Sequence, residues 1–204
     1  MARTLRIATR APGESQLILG AHNIRKLDVG HRFIYLVDDL FDEQFMRMTH
    51  HFMSRLSFVL TEYDTEETKH TPHWKHEFDP DNLPAPLIPA LISRIVAVTR
   101  ELYASEKLEL KRVHCNLHLY GDMQYPHTDL VPGVTALYFA NPRWETNWMG
   151  ETLFYDEHGE PLYAVIPKPG RLTIFSGDIT HRGGVPSQGC SEPRISLALK
   201  FALA

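Results

Sequence analysis

Val113-His114-Cys115-Asn116-Leu117-His118-Leu119-Tyr120 alternates without a break, apolar at 113, 115, 117 and 119 and polar at 114, 116, 118 and 120. Successive side chains of an extended chain point to opposite faces, so this is a strand with one dry face and one wet face. Working outward to the C-terminus, strands are expected over 110–120, 133–140, 151–155, 162–166, 171–176 and 193–203, separated by Gly, Pro and Asp. Short strands with turn signals between them point to a sandwich or barrel. Toward the N-terminus the period changes. Leu91, Ile95, Val98 and Leu102 line one side of a helix over about 88–104, and Pro89 is tolerated in its first turn. Asp42 stands as the N-cap of an earlier helix, followed at helical spacing by Phe45, Met48, Phe52 and Leu56, with Phe41 just ahead of the cap. Residues 33–37 and 58–63 read as strands, and 64–86, charged and proline-rich, as a long loop. Residues 1–31 read as a loose arm or an edge strand, with Leu17, Ile18 and Leu19 their one compact apolar run. The expected class is α+β, mainly β: an arm over 1–31, then a single domain over 32–204 with its β core at about 108–204. No internal repeat or low-complexity segment interrupts it.

The composition narrows the partners. The chain has 204 residues, 43% hydrophobic and 23% charged, with a net charge of −4. Lys and Arg are scattered, which excludes a phosphate-backbone binder and favours a small-molecule partner over nucleic acid. Every apolar run is too short to span a bilayer, so no membrane partner is expected. Arg3, Arg6 and Arg10 lead into no apolar signal core. Two cysteines, Cys115 and Cys190, do not make a disulfide framework, so a cytoplasmic setting is the default. Oligomeric state has no marker in the sequence.

The chemistry is concentrated in His127-Thr128-Asp129. Residues i and i+2 of an extended segment offer an imidazole and a carboxylate to a common point. A third donor, His181, follows 52 residues after Asp129, in Asp178-Ile179-Thr180-His181. Two histidines and one carboxylate on one face of a metal is the arrangement of the non-haem Fe(II) oxygenases, and it leaves the other face open. With 12 histidines in the chain, such a match can also arise by chance. Arg194-Ile195-Ser196 lies 13 residues past His181, in the last strand. Alternation puts Arg194 and Ser196 on one face and Ile195, Leu197, Leu199 and Phe201 on the other. If the apolar set packs outward, Arg194 points inward, where a guanidinium needs an anion. Its fork matches a carboxylate: the distal carboxylate of 2-oxoglutarate, or one of the chain's 25 acidic side chains. The wet face of 113–120 either lines the same site or faces solvent; Tyr120 is its favoured site residue.

Several stretches in order resemble the prolyl-hydroxylase-like branch of the Fe(II)/2-oxoglutarate-dependent oxygenase superfamily. They are Thr135-Ala136-Leu137-Tyr138-Phe139-Ala140-Asn141, then Trp144, then Gly150-Glu151-Thr152-Leu153-Phe154. Pro167-Lys168-Pro169-Gly170-Arg171-Leu172-Thr173-Ile174-Phe175 follows, running on to His181 and Pro193-Arg194-Ile195-Ser196. The resemblance covers about residues 110–203. It implies a double-stranded β-helix (jelly roll) with the helices packed on one sheet. It also implies Fe(II) held by His127, Asp129 and His181, with 2-oxoglutarate anchored by Arg194 and Ser196. The family's tyrosine ahead of its His-x-Asp falls on Tyr120, across a shorter loop, with Tyr138 a second candidate for that pocket. Where the family often has Gly-Gly-Glu, this chain has Met149-Gly150-Glu151, which leaves the turn there open.

The implied reaction couples O2 and 2-oxoglutarate to hydroxylation of an unactivated C–H in a small metabolite, such as an amino acid or biosynthetic intermediate. The alternatives are hydroxylation of a prolyl or other side chain in a protein and, from another class, a metal-binding jelly roll that turns nothing over. A binding module has no use for Arg194 as a 2-oxoglutarate anchor, which separates the two. Asp129 argues against a halogenase, whose halide would need that coordination position. Residues 64–80 are expected to form a mobile cover over the substrate mouth. Trp74, Arg143, Trp144 and Trp148 are candidate substrate contacts, or else packing. His70, His73 and His76 have the spacing of a helical zinc site, but Pro72 argues against a helix there.

Overall fold

The computed structural model describes residues 8–11, 13–19, 22–84, 86–104, 107–122 and 124–203. Its strands are β1 Ala8–Ala11, β2 Glu14–Leu19, β3 His22–Val29, β4 Arg32–Val37, β5 Val59–Glu62, β6 His73–Phe78, β7 Leu108–His118, β8 Gly133–Phe139, β9 Thr152–Tyr155, β10 Pro161–Val165, β11 Leu172–Ser176, β12 His181–Arg182 and β13 Arg194–Leu203. Helices α1 (Glu43–Met53) and α2 (Leu87–Leu102) interrupt the early strands. A ten-stranded antiparallel sheet runs β1-β2-β3-β4-β11-β8-β13-β7-β6-β5, and a second sheet runs β10-β9-β12. His127 and His181 also exchange both backbone hydrogen bonds, at 2.9 Å each, which adds the 127 segment as a fourth row to the small sheet.

Alternation along the central strands decides which side chains meet which layer. Ile195, Leu197, Leu199 and Phe201 of β13 join Val113 and Cys115 of β7, Ala136 and Tyr138 of β8 and the buried side of α2 in one core. Ile88, Leu91, Ile92, Ile95 and Val98 supply that side of α2. Each such apolar side chain is worth about 1.5–3 kcal/mol. Asp42 caps α1 by accepting from Phe45 N at 2.7 Å. Of the apolar stripe expected there, Phe41, Phe45, Phe52 and Leu56 pack against this core, whereas Met48 faces solvent and Thr49 and Met53 are the fully buried positions. The opposite face of the large sheet meets the small sheet through a second core, with Leu36, Leu137, Phe139, Phe154, Val165 and Phe175. Arg171, from the proline-flanked stretch, places its fork on both oxygens of Asp38 at 2.8 and 2.9 Å and ties the start of β11 to the end of β4.

Two segments differ from the sequence reading. Of the arm or edge strand expected over 1–31, β1, β2 and β3 are three strands that widen the large sheet beyond β4, with β1 at its edge; residues 1–7, 12, 20 and 21 lie outside the described residues. The expected loop and cover at 64–80 contains β6, hydrogen-bonded to β7 on one side and β5 on the other. Its period of two was hidden because both faces carry polar residues: His73, Lys75 and Glu77 alternate with Trp74, His76 and Phe78. The outer row packs Phe58 on His76 and His76 on Phe78.

Candidate metal and oxo-acid site

The cavity lies between the two sheets, has a volume of about 230 Å³, and takes its walls from β5, β6, β7, β8, β11 and β13 of the large sheet and β9 and β12 of the small one. His127, Asp129 and His181 meet in it, with one donor atom of each lying within 4.8 Å of the others. The backbone builds this approach. Asp129 N donates to Gly177 O at 2.7 Å and Gly177 N to Gly133 O at 2.8 Å, folding the 129–133 turn onto the ends of β8 and β11. A Cβ at residue 177 would sit 2.1 Å from Leu130 O, and one at 133 would sit 2.5 Å from it, so both positions require glycine.

The two imidazoles are aimed by backbone carbonyls. His127 Nδ1 lies 3.0 Å from Tyr125 O, and His181 Nδ1 lies 3.0 Å from Ile179 O. A carbonyl only accepts, so each ring carries its proton on Nδ1 and leaves Nε2 as a bare donor toward Asp129. The Nε2 atoms are 3.7 Å and 3.5 Å from the Asp129 oxygens. Three ligands at right angles on a metal would lie about 3.0 Å apart, so the set needs only a small contraction to bind one. Burial pushes His181 down to about 4, which keeps the ring neutral as a ligand must be. Burial alone would raise the Asp129 carboxyl, but Lys200, His181 and the Thr135 hydroxyl outweigh it and hold it well below the usual range. Thr135 Oγ1 donates to Asp129 Oδ2 at 2.5 Å, and Lys200 Nζ meets the same oxygen. Asp64, from the β5–β6 connection, accepts from Tyr125 N at 2.7 Å and lies 3.3 Å from His127 Nδ1.

At the other end of the cavity lies Arg194, 1% exposed. Its guanidinium donates to Gly150 O at 2.9 Å, Thr152 Oγ1 at 3.0 Å and Ser196 Oγ at 3.3 Å. It also faces His118 Nδ1 at 3.3 Å and lies over the Phe139 ring. Among the described residues no carboxylate hydrogen-bonds to it; its hydrogen-bond partners are all neutral, and Glu151 acts on it through charge alone. Burial lowers its pKa to about 10, so it stays a cation. Burial, with Arg194 and His73 nearby, holds His118 well below its usual range. The ring is neutral and accepts at Nδ1, which puts its proton on Nε2, an atom without a partner.

Five of the sequence candidates come together here: His127, Asp129, His181, Arg194 and Ser196. The others do not. Tyr120 is 62% exposed, because β7 ends at His118 and a turn closed by Leu119 N on Asp122 Oδ2 swings it outward. Tyr138 has the opposite parity to Thr135 and Leu137 and packs edge-on against Phe41 on the helix side. Trp74 is out of phase with His73, which lines the cavity in its place. Arg143 pairs with Glu145 and lies over the Trp148 ring; Trp144 meets Trp148 edge-on and donates to Met149 O at 2.8 Å. None of these three lines the cavity. His114, Asn116 and His118 line it, which decides the wet face of 113–120 for the site over solvent; His73, expected at most as part of a zinc spacing, lines it too, as do Gln124 and Lys200, which the sequence reading did not single out. For the members of β7 and for Lys200 the signal was present, as the inward parity of their strands.

No family model matches the chain, and no curated protein matches it. Solved structures do. A prolyl-4-hydroxylase from Pseudomonas putida aligns at a TM-score of 0.63 and 18% identity, over 84% of this chain and 92% of that one. The chain has the fold of the 2-oxoglutarate/Fe(II) oxygenases. HygX from Streptomyces hygroscopicus, solved with nickel and 2-oxoglutarate, aligns at 0.62 and 13% identity over 83% and 82% of the two chains. A prolyl hydroxylase from Trichoplax adhaerens, solved with a hypoxia-inducible-factor peptide, gives 0.62 and 13% over 83% of each.

Proposed function

We propose that the protein is an Fe(II)- and 2-oxoglutarate-dependent dioxygenase that hydroxylates an unactivated C–H of a small metabolite, such as an amino acid or a biosynthetic intermediate. The observation that carries this reading is one cavity holding both a convergent His127–Asp129–His181 set and a buried cation, Arg194, with only neutral partners. Either half alone fits a binding module; together they match a metal plus a dicarboxylate co-substrate. The paired sheets read as a double-stranded β-helix, and residues 32–204 as the catalytic domain, widened by the strands of 8–29.

His127 Nε2, Asp129 and His181 Nε2 would hold the iron, and the fixed tautomers keep both rings ready for it. With the oxo acid and O2, bound Fe(II) supplies the oxidising power for C–H cleavage, while 2-oxoglutarate is converted to succinate and CO2. Arg194 and Ser196 receive the distal carboxylate of the oxo acid, and the N–H of His118 adds a third donor where Tyr120 had been expected. Leu137, Phe175 and Ala198 form the apolar part of the wall. The small, mostly polar cavity favours a small molecule. The named prolyl hydroxylases among the structural neighbours favour the second reading, a side chain in a protein. The test is Fe(II) loading without O2, followed by exposure to O2 with candidate substrates and measurement of succinate. Substrate-dependent succinate that vanishes in His181→Ala supports the reading. A wild type that binds neither Mn2+ nor 2-oxoglutarate refutes it.

A further inference from the structure

Lys200 lies on β13 at the same parity as Arg194, Ser196 and Ala198, and all four line the cavity. Its side chain is 14% exposed, and its ammonium meets Asp129 Oδ2. Among the described residues Asp129 is the one carboxylate it reaches. Arg112, its partner in register on β7, has its own fork committed to Glu62 and Glu77. An ammonium has three donors, and here one acidic partner is shared with the Thr135 hydroxyl. Holding Asp129 in orientation needs no cation, since the neutral Thr135 already does so. A cation beside the carboxylate that would bind a divalent metal instead repels that metal and lowers its affinity. Such a placement is useful when a negative ligand arrives with the metal.

We infer that Lys200 is a second carboxylate-binding residue of the cavity, which receives a carboxylate bound next to the metal once the metal has engaged Asp129. This rests on the metal-centre reading above. The carboxylate has two possible sources, the oxo-acid end of 2-oxoglutarate or the acid group of a substrate, and the two arms of the test separate them. Lys200 therefore makes metal and anion occupancy mutually supportive: the metal frees the ammonium, and the anion offsets the excess positive charge.

Wild type, Lys200→Met and Lys200→Arg are compared by calorimetric titration with Mn2+, then with 2-oxoglutarate on the Mn2+-loaded proteins. In a second arm, thermal shifts are read for small carboxylic acids, each paired with its primary amide, on the Mn2+- and 2-oxoglutarate-loaded proteins. Lys200→Met is expected to bind Mn2+ about 5-fold or more tighter, the sign that removing a repelling cation requires. It is also expected to lose about 10-fold or more in one arm, with Lys200→Arg restoring most of that loss. Loss for 2-oxoglutarate identifies the co-substrate. Loss of an acid-over-amide preference identifies an acidic substrate. Weaker Mn2+ binding in Lys200→Met with both anion arms unchanged overturns the inference and leaves Lys200 as a prop for Asp129. Tighter Mn2+ binding with no loss in either arm also overturns it. A wild type that fails to bind Mn2+ refutes the metal-centre reading itself, and this inference with it.

Discussion

Arg194→Met tests the site where two accounts of one residue predict different stabilities. If Arg194 is part of the fold's own ion pairing, removing it leaves a buried charge alone and costs about 3–5 kcal/mol. The contacts say otherwise. Its partners are Gly150 O, Thr152 Oγ1, Ser196 Oγ and His118 Nδ1, none of them charged. Its pKa is lowered to about 10, which corresponds to about 3 kcal/mol spent on keeping the cation dry. Met removes that cost and fills most of the same volume. It also strips the buried Gly150 carbonyl and the Thr152 hydroxyl of a donor, at about 1–2 kcal/mol each. The terms nearly cancel, so the unliganded variant is expected to unfold within about 1 kcal/mol of wild type.

Ligand binding changes the balance. A dicarboxylate present at a hundredfold over its Kd adds about 2.7 kcal/mol to wild-type stability. Losing a charge-assisted fork on its carboxylate costs about 1.5–3 kcal/mol or more, so the variant should keep at most about half of that gain. The assay is urea unfolding of the Mn2+-loaded proteins, with and without 2-oxoglutarate. A variant that is several kcal/mol less stable on its own, yet keeps the full 2-oxoglutarate gain, would refute the anchor assignment.

Four further changes test other parts of the structure. Tyr138→Phe removes a buried hydroxyl without a partner and should raise stability by up to about 1 kcal/mol while leaving 2-oxoglutarate affinity unchanged by calorimetry; a tenfold loss would return Tyr138 to the co-substrate pocket. Tyr120→Phe should change neither quantity, since that ring is solvent-facing. Met149 holds φ 59 and ψ −139, a conformation that costs an L residue about 1–3 kcal/mol, and its side chain is exposed; Met149→Gly should raise Tm by about 2–4 °C in a thermal melt, and a lower Tm would show that the turn is unstrained. Burial would raise the Glu62 carboxyl, but hydrogen bonds from Arg112 and Lys75 hold it down to about 2, so its folded pKa lies below its unfolded one. Its contribution of about 2–3 kcal/mol is therefore complete above about pH 4.5 and fades as pH falls toward 2, and the stability gap between wild type and Glu62→Gln should narrow over that window in urea titrations.

The parts of this site that could be read from sequence are those set by a strand's period of two. His127 and Asp129 share a face because they are two apart, and Arg194 and Ser196 for the same reason. The strands β7, β8, β11 and β13 were visible because one of their faces is apolar and buried against the helices. The same rule fails where both faces of a strand are polar. β6 carries His73 into the cavity, and Lys75 and Glu77 of the same row pair with Glu62 and Arg112 instead of an apolar layer, so its composition imitates a loop. Where a strand stops matters as much: Tyr120 has the parity of His118, but the chain has already turned at Leu119. Asp64 had no local signal at all, since it acts through Tyr125 N, 61 residues away.

Strand parity also governs how such a centre survives its own chemistry. Cys115 lies between His114 and Asn116 on β7, two residues whose side chains line the cavity, yet its thiol is fully buried on the far side of the sheet among the helix contacts. Burial also pushes that thiol well above its usual range, so it carries no thiolate to be oxidised. Among the described residues the cavity wall contains no cysteine, methionine or tryptophan. Sulfur climbs the oxidation ladder readily, and its damage is often permanent. On the oxygenase reading, such a wall keeps sulfur and indole away from a stray oxidant and leaves imidazole and the Tyr63 phenol as its nearest oxidisable groups. On that reading, a one-residue offset along a single strand is what keeps the Cys115 thiol out of reach of the centre.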